Sequence, residues 1–261
     1  MSLDSAAIDL THHFLIAMPG LEDALFEHSV VYVCEHNERG ALGLIINKPS
    51  DLLLSGLFEK IALTLNRTDL SDAPVFLGGP VQTERGFVLH EPMGQGGESV
   101  YSSTLVIKGE SSETAPEQDP IDESESESEP DGEVNTSPAR LEMTTSKDVL
   151  EAMAEGAGPR KALVTLGYAT WGKGQLESEL AENAWLTVQA DHAIIFDTPP
   201  EQRYARAMGL LGLDAEAVQK TRALDLMVRA MPVCQKYAPR QVVEILELVM
   251  ESGRHVGREL D

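Results

Sequence analysis

Val30 to Asn47, VVYVCEHNERGALGLIIN, reads as a β-hairpin. Apolar β-branched and aromatic residues run up to a polar tetrad, Asn37-Glu38-Arg39-Gly40, and an apolar run resumes at Ala41. The tetrad has turn chemistry, and Gly40 can take a positive φ at the loop's end. Period-2 alternation puts Val30, Tyr32, Cys34 and His36 on one face and Val31, Val33 and Glu35 on the other. Ala41 to Asn47 is nearly all apolar, the pattern of a strand buried on both faces. Lys48-Pro49 ends it.

The remaining chain reads as short strands with scattered short helices. Leu57, Phe58, Ile61 and Leu65 have helical spacing, and Asn66 to Pro74 is a polar loop. Val75 to Leu77 is a strand broken by Gly78-Gly79-Pro80, followed by strands at Gly86–His90 and Thr104–Lys108. Thr145 and Asp148 are spaced as a capping box, and Gly156 gives that helix its stop. Ala162–Ala169, Trp185–Gln189 and Ala193–Phe196 are expected as strands, Gln175–Glu182 as a helix. Pro199-Pro200 opens a helix carrying Tyr204, Met208 and Leu211. The absence of regular βαβ alternation predicts an α+β fold.

Charge is unevenly placed. Gly109 to Val134 holds 11 acidic residues and no basic one, so without it the formal charge of −23 falls to −12. Gly109 to Pro138, rich in Glu, Ser, Asp and Pro, buries too little apolar surface to offset its ordering entropy. It is expected as a disordered acidic insert within a domain spanning residues 10–213. Residues 214–261 are expected as a helical C-terminal extension, with Val242, Ile245, Leu246 and Val249 on one stripe. That helix is a candidate homo-oligomer contact. The acidity opposes direct binding of nucleic acid or anionic lipid. Two distant cysteines, Cys34 and Cys234, fit neither a disulfide framework nor a zinc site. With no apolar run of membrane length and no basic leader, a cytoplasmic protein without metal or cofactor is expected.

Four blocks then follow in order: HFLIAMPGLEDALFEHSVVYVCEHNERGALGLIINKPSD, VFLGGPVQTERGFVLH, MTTSKDVLEAMAEG and LGYATWGKGQLESELAENAWLTVQADHAIIFDTP. Together they resemble the YqgE/AlgH family of bacterial proteins from about His13 to Leu213, with the acidic insert as the main departure. The resemblance implies an α+β fold with β-barrel-like sheets and peripheral helices, in a cytosolic protein. One branch of the family is named as a regulator of alginate synthesis, and the family has no agreed catalytic residues to carry over.

Candidate sites remain. Cys34 is a potential nucleophile, since a nearby imidazolium lowers a thiol pKa. His36 stands two residues away on the expected strand face, roughly 7 Å off and beyond hydrogen-bond reach. Burial of Cys34 as a small apolar residue is the preferred reading. Lys48 and Arg85 are the cations expected beside an acidic ligand, Arg85 following the FLGGPV turn with Gln82, Thr83 and Glu84. Gly167 to Gly174, GYATWGKG, has P-loop spacing but places Gly174 where Ser or Thr should hold Mg²⁺. It leaves Gly172, Lys173 and Gly174 as a candidate anion loop. Glu22, Asp23, Glu35, Asp191 and Asp197 are expected at the surface, in turns or as caps. The expected function is non-enzymatic: binding of a protein or small ligand, with regulation by an indirect route. The alternative is an enzyme or redox sensor that uses Cys34.

Overall fold

The computed structural model describes residues 9–21, 23–93, 99–108 and 140–213. The acidic insert, the C-terminal extension, Cys234 and Glu22 lie outside the described residues.

The chain begins with β1 (His13–Ala17), followed by the hairpin of β2 (Val30–Asn37) and β3 (Gly40–Ile45). An edge strand, β4 (Pro49–Leu53), leads into α1 (Leu54–Lys60). Next come β5 (Pro74–Leu77), β6 (Val81–His90), β7 (Thr104–Ile107) and β8 (Leu141–Thr144). Then follow α2 (Lys147–Glu155), β9 (Ala162–Gly172), α3 (Gln175–Ala181) and β10 (Trp185–Gln189). The last described elements are α4 (His192–Phe196) and α5 (Pro200–Leu210).

One sheet runs β10-β1-β2-β3-β9-β6-β8-β7, with β4 and β5 branching from β9. Its pairings are antiparallel except β5 with β9. Both ends of the sheet feed one core: Phe14 and Ile16 of β1 share it with Ile107 of β7 and Leu141 of β8. Cα atoms of β2 and β7 come within 8 Å. The sheet therefore curls into a half-barrel, and the fold is α+β as expected. Ile194, Ile195, Ala207 and Met208 bring α4 and α5 against its concave side. On the convex side α3 packs Leu176 against Trp171 and Trp185, while α1 and α2 pack Phe58 and Met153 against Val75, Val88 and Val164. Each such fully buried side chain contributes roughly 1.5–3 kcal/mol.

The glycines of FLGGPV have a steric cause. Gly78 and Gly79 carry the chain from the β5 edge of β9 across to the β6 edge, and the crossing point is Gly167. A Cβ on Gly78 would meet Gly167 O at 2.2 Å, one on Gly79 would meet Tyr168 C at 2.2 Å, and one on Gly167 would meet Gly79 O at 2.5 Å. Two backbones pass here with no room for a side chain.

Several expectations are corrected. Ala193–Phe196 lies in the helix α4, started by the Asp191 carboxylate, which accepts from Ala193 N at 2.8 Å; its short apolar run fits either element. The cap position of α2 is Ser146, not Thr145, and its side chain bonds to Asp148 and Ser102 O instead of capping the helix. Gly156 ends that helix at φ +82° as expected. The strand expected from Gly86 begins at Val81, with Gln82 to Arg85 bulging out of the ladder between the Val81–Tyr168 and Gly86–Leu166 pairs. Pro49–Leu53, whose pattern predicts no strand, pairs with β5.

Candidate functional site

A bulge decides the fate of Cys34. The β2–β3 ladder pairs Val33 with Gly43 and then Glu35 with Leu42, so β2 carries one extra residue there. The alternation flips at that point. Cys34 stays with Tyr32 in the concave core, while His36 pairs with Ala41, a member of the convex-side core. The expectation that Cys34 and His36 share a face is therefore overturned. Cys34 is 1% exposed and its Sγ–H points to Tyr32 O at 3.8 Å. Burial, with a smaller push from Glu35, drives its thiol pKa far above the ordinary value.

His36 braces the structure instead. Its Nδ1 accepts from Leu10 N at 3.0 Å, which leaves the ring hydrogen on Nε2, 3.1 Å from Glu177 Oε1. Lys48 is half-buried; burial lowers its pKa, against the opposing pull of Glu27 and Asp23. Arg85 is exposed and donates to Thr145 Oγ1 at 3.1 Å. At the β9–α3 junction Gly172 pairs with Gly40, and its N–H donates to Gln175 Oε1 at 3.0 Å. The Trp171 and Trp185 indole N–H groups both donate to Glu179 Oε2, at 2.9 and 2.7 Å. The GYATWGKG block thus ties a strand end to a short helix, and exposed Lys173 stands outside the tie. His36 thus meets the helix that the Gly172–Gly174 loop opens, and neither these residues nor Cys34, Lys48 or Arg85 line a cleft beside β5.

That cleft holds about 490 Å³ between β5, the start of β9 and the α4–α5 junction. Phe76, Leu163, Ile195 and Phe196 supply apolar wall, and Arg160, Lys161, Asp197 and Arg203 supply charge. Each group is there for a local reason. Phe76 and Leu163 are concave-side positions of β5 and β9. Proline suits the first turn of α5 because its φ is fixed and its missing N–H is not needed there. One turn on, Arg203 shares the buried face of α5 with Ala207 and Met208, which carries the guanidinium inward.

Arg203 is 5% exposed. Its Nε donates to Thr198 O at 2.9 Å, its Nη1 donates to Ile46 O, and its Cζ lies over the Phe76 ring, 4.9 Å from the ring centre. Burial pulls its pKa down to about 10, partly opposed by Glu201, so it is a cation at neutral pH. Among the described residues no carboxylate pairs with it. An ion buried without a directly bonded counter-charge costs several kcal/mol, and two carbonyls, one aromatic face and the more distant Glu201 offset only part of that. Perturbed ionisable groups cluster at functional sites, which makes this cleft the candidate. Lys161 bonds Asp197 at 2.8 Å at the rim, and Arg160 is exposed.

Sequence reasoning missed this site because its walls come from four separate segments. One signal was available: an arginine four residues before a buried alanine, on the inward face of an amphipathic helix.

A family model described as AlgH-like matches residues 14–216. The chain belongs to the AlgH-like family. Among its relatives, a UPF0301 protein of Variovorax paradoxus is 62% identical, covering 82% of this chain and 95% of that protein. A UPF0301 protein of Paracidovorax citrulli is 63% identical over the same shares. The solution structure of the AlgH protein from Pseudomonas aeruginosa matches with 43% identity and a TM-score of 0.57, covering 84% of this AlgH-like chain and 96% of that one. A crystal structure of a Corynebacterium diphtheriae protein matches in fold at 16% identity and a TM-score of 0.50, over 76% and 85% of the two chains. These names carry a family and no chemistry. No helix among the described residues of this AlgH-like chain is long and apolar enough to cross a membrane.

Proposed function

We propose that this AlgH-like chain is a cytoplasmic regulatory protein that works by binding and not by covalent catalysis. The observation that carries the reading is the buried cation of Arg203 at the floor of an open cleft, while the thiol of Cys34 is sealed in the core. A thiol with a strongly raised pKa supplies almost no thiolate at neutral pH, and the thiolate is the nucleophile. The acidity of the chain favours an effect on transcription that passes through a ligand or another protein.

The test is thiol labelling of native and unfolded protein on a Cys234→Ala background. Cys34 is expected to label only after unfolding. Rapid labelling of native protein at neutral pH would replace this reading with the thiol-enzyme alternative, and tight, salt-sensitive, sequence-selective binding of duplex DNA would defeat its indirect part.

A further inference from the structure

Three of the four charged groups that border the Arg203 cleft are cations: Arg160, Lys161 and Arg203 against Asp197. The lining therefore carries two net positive charges on a chain whose formal charge is −23, with Glu201 and Glu91 outside it acting on Arg203 and Lys161. The lone acid is engaged by Lys161 at 2.8 Å, which turns its charge toward that lysine. Arg203 spends Nε and Nη1 on carbonyls. Among the described residues its Nη2 meets no acceptor, and it is not one of the polar atoms sealed away without a partner. A guanidinium fixed by two carbonyls and one ring is pre-organised, so little entropy remains to be lost when an oxyanion arrives. Beside it Phe76, Leu163, Ile195 and Phe196 offer apolar surface. A volume of about 490 Å³ suits a small organic molecule.

We infer that this cleft binds a phosphate monoester with a compact apolar body, its phosphate held by Arg203 at the floor and Arg160 and Lys161 at the rim. Charge selects the head group. A phosphate monoester carries about −1.5 to −2 at neutral pH and so gains more from three lining cations than a carboxylate with its single charge. The Nη2 that Arg203 keeps free offers a phosphate oxygen a charge-assisted hydrogen bond. The body is selected by the walls, which give inorganic phosphate nothing to cover. The inference rests on the binding role proposed above and names the class of ligand for it. The two fail separately, because native labelling of Cys34 would remove the first reading without touching anion binding.

The experiment uses the full chain with three probes: phenyl phosphate, inorganic phosphate and benzoate. Thermal unfolding and calorimetric titration are the readouts. Phenyl phosphate is expected to raise the unfolding temperature with increasing concentration, with inorganic phosphate and benzoate each binding at least about ten-fold more weakly for want of the apolar body or the second charge. Arg160→Gln, an exposed rim change that leaves the core intact, is expected to weaken phenyl phosphate by about ten-fold, the usual loss of one charged hydrogen bond. Arg203→Lys keeps the charge, cannot hold both carbonyls while donating to a ligand, and is expected to weaken it further. Lys173→Ala, outside the cleft, is expected to change nothing. Absence of any phenyl phosphate effect on the native chain would overturn the inference, as would benzoate binding as tightly, or Lys173→Ala removing the effect while Arg160→Gln spares it. Should Arg203→Lys fail to fold, the Arg160→Gln result decides the matter in either direction.

Discussion

At the scale of single residues, the described core holds more titratable side chains than the Arg203 cleft uses. His12 is 2% exposed, its Nδ1 lies 2.9 Å from the Tyr32 hydroxyl, and its ring meets those of Tyr32 and His192 edge-on. Burial, aided by the nearby His192 and His13, pulls its pKa from 6.5 to about 4. The unfolded chain takes up that proton near 6.5 and the folded chain does not until about 4. The stability His12 contributes is thus full above 6.5 and is lost as pH falls toward 4. Burial shifts His90 and His192 in the same direction. Between about pH 7 and about pH 5 the His12 share of the loss is about 2 kcal/mol. His12→Asn, whose short side chain tolerates the φ of +63° at this position, is expected to flatten the pH dependence of urea unfolding by that amount. An unchanged slope would show that His12 does not carry it. The same scale shows why the site is illegible in the sequence. The face of a strand residue follows from period 2, but the extra residue, Cys34 between Val33 and Glu35, has no signature in VVYVCEHN, so the alternation fails two residues before His36. Arg203 is worse placed for prediction: its meaning depends on Ile46, Phe76 and Thr198, none of which neighbours it in the same element.

Elements are far more legible than sites, for a physical reason. The β2–β3 hairpin, α5 with its paired prolines and the Gly156 stop of α2 are each specified by local pattern and turn chemistry. Ala193–Phe196 misleads because four apolar residues carry no period, and the deciding group, the Asp191 cap, precedes them. The FLGGPV turn shows its dependence on glycine, but its partner Gly167 lies far along the chain, so the crossing itself stays hidden. That crossing yields a prediction about elements. An added methyl on Gly79 would lie 2.2 Å from Tyr168 C and 2.3 Å from Ala169 N, both backbone atoms of a central strand that cannot step aside. Gly79→Ala is expected to cost more than about 4 kcal/mol or to prevent folding, the range reserved for gross core disruption. Gly156→Ala provides the contrast, with nothing within 4 Å of the new Cβ and only the positive φ to strain; about 1 kcal/mol is expected. Equal destabilisation of the two variants in urea would mean that β5 does not cross β9 as described.

For the whole molecule, the question is how one sheet can serve both halves of the chain across so long an acidic connection. The register answers it. Ile107 at the end of β7 pairs directly with Leu141 at the start of β8, so the chain leaves and re-enters the sheet at neighbouring points. Nothing in the half-barrel requires the connection to span a distance. Its composition, with 11 acids and no base between Gly109 and Val134, makes no apolar demand on the core either. Closing a flexible loop costs about 0.6 kcal/mol for each doubling of its length. Replacing residues 109–139 by a turn of about four residues removes about three doublings and is expected to stabilise the chain by about 2 kcal/mol. It also strips eleven negative charges, which lessens self-repulsion and should make the gain larger at low salt than at high salt. The cleft at Arg203 is built from β5, β9, α4 and α5 and shares no residue with that hairpin, so phenyl phosphate binding is expected to survive the replacement unchanged. A shortened chain that is less stable than its parent would mean that the connection makes stabilising contacts and does not merely close a loop. A shortened chain that is stable but no longer binds would place part of the ligand site on the acidic segment itself.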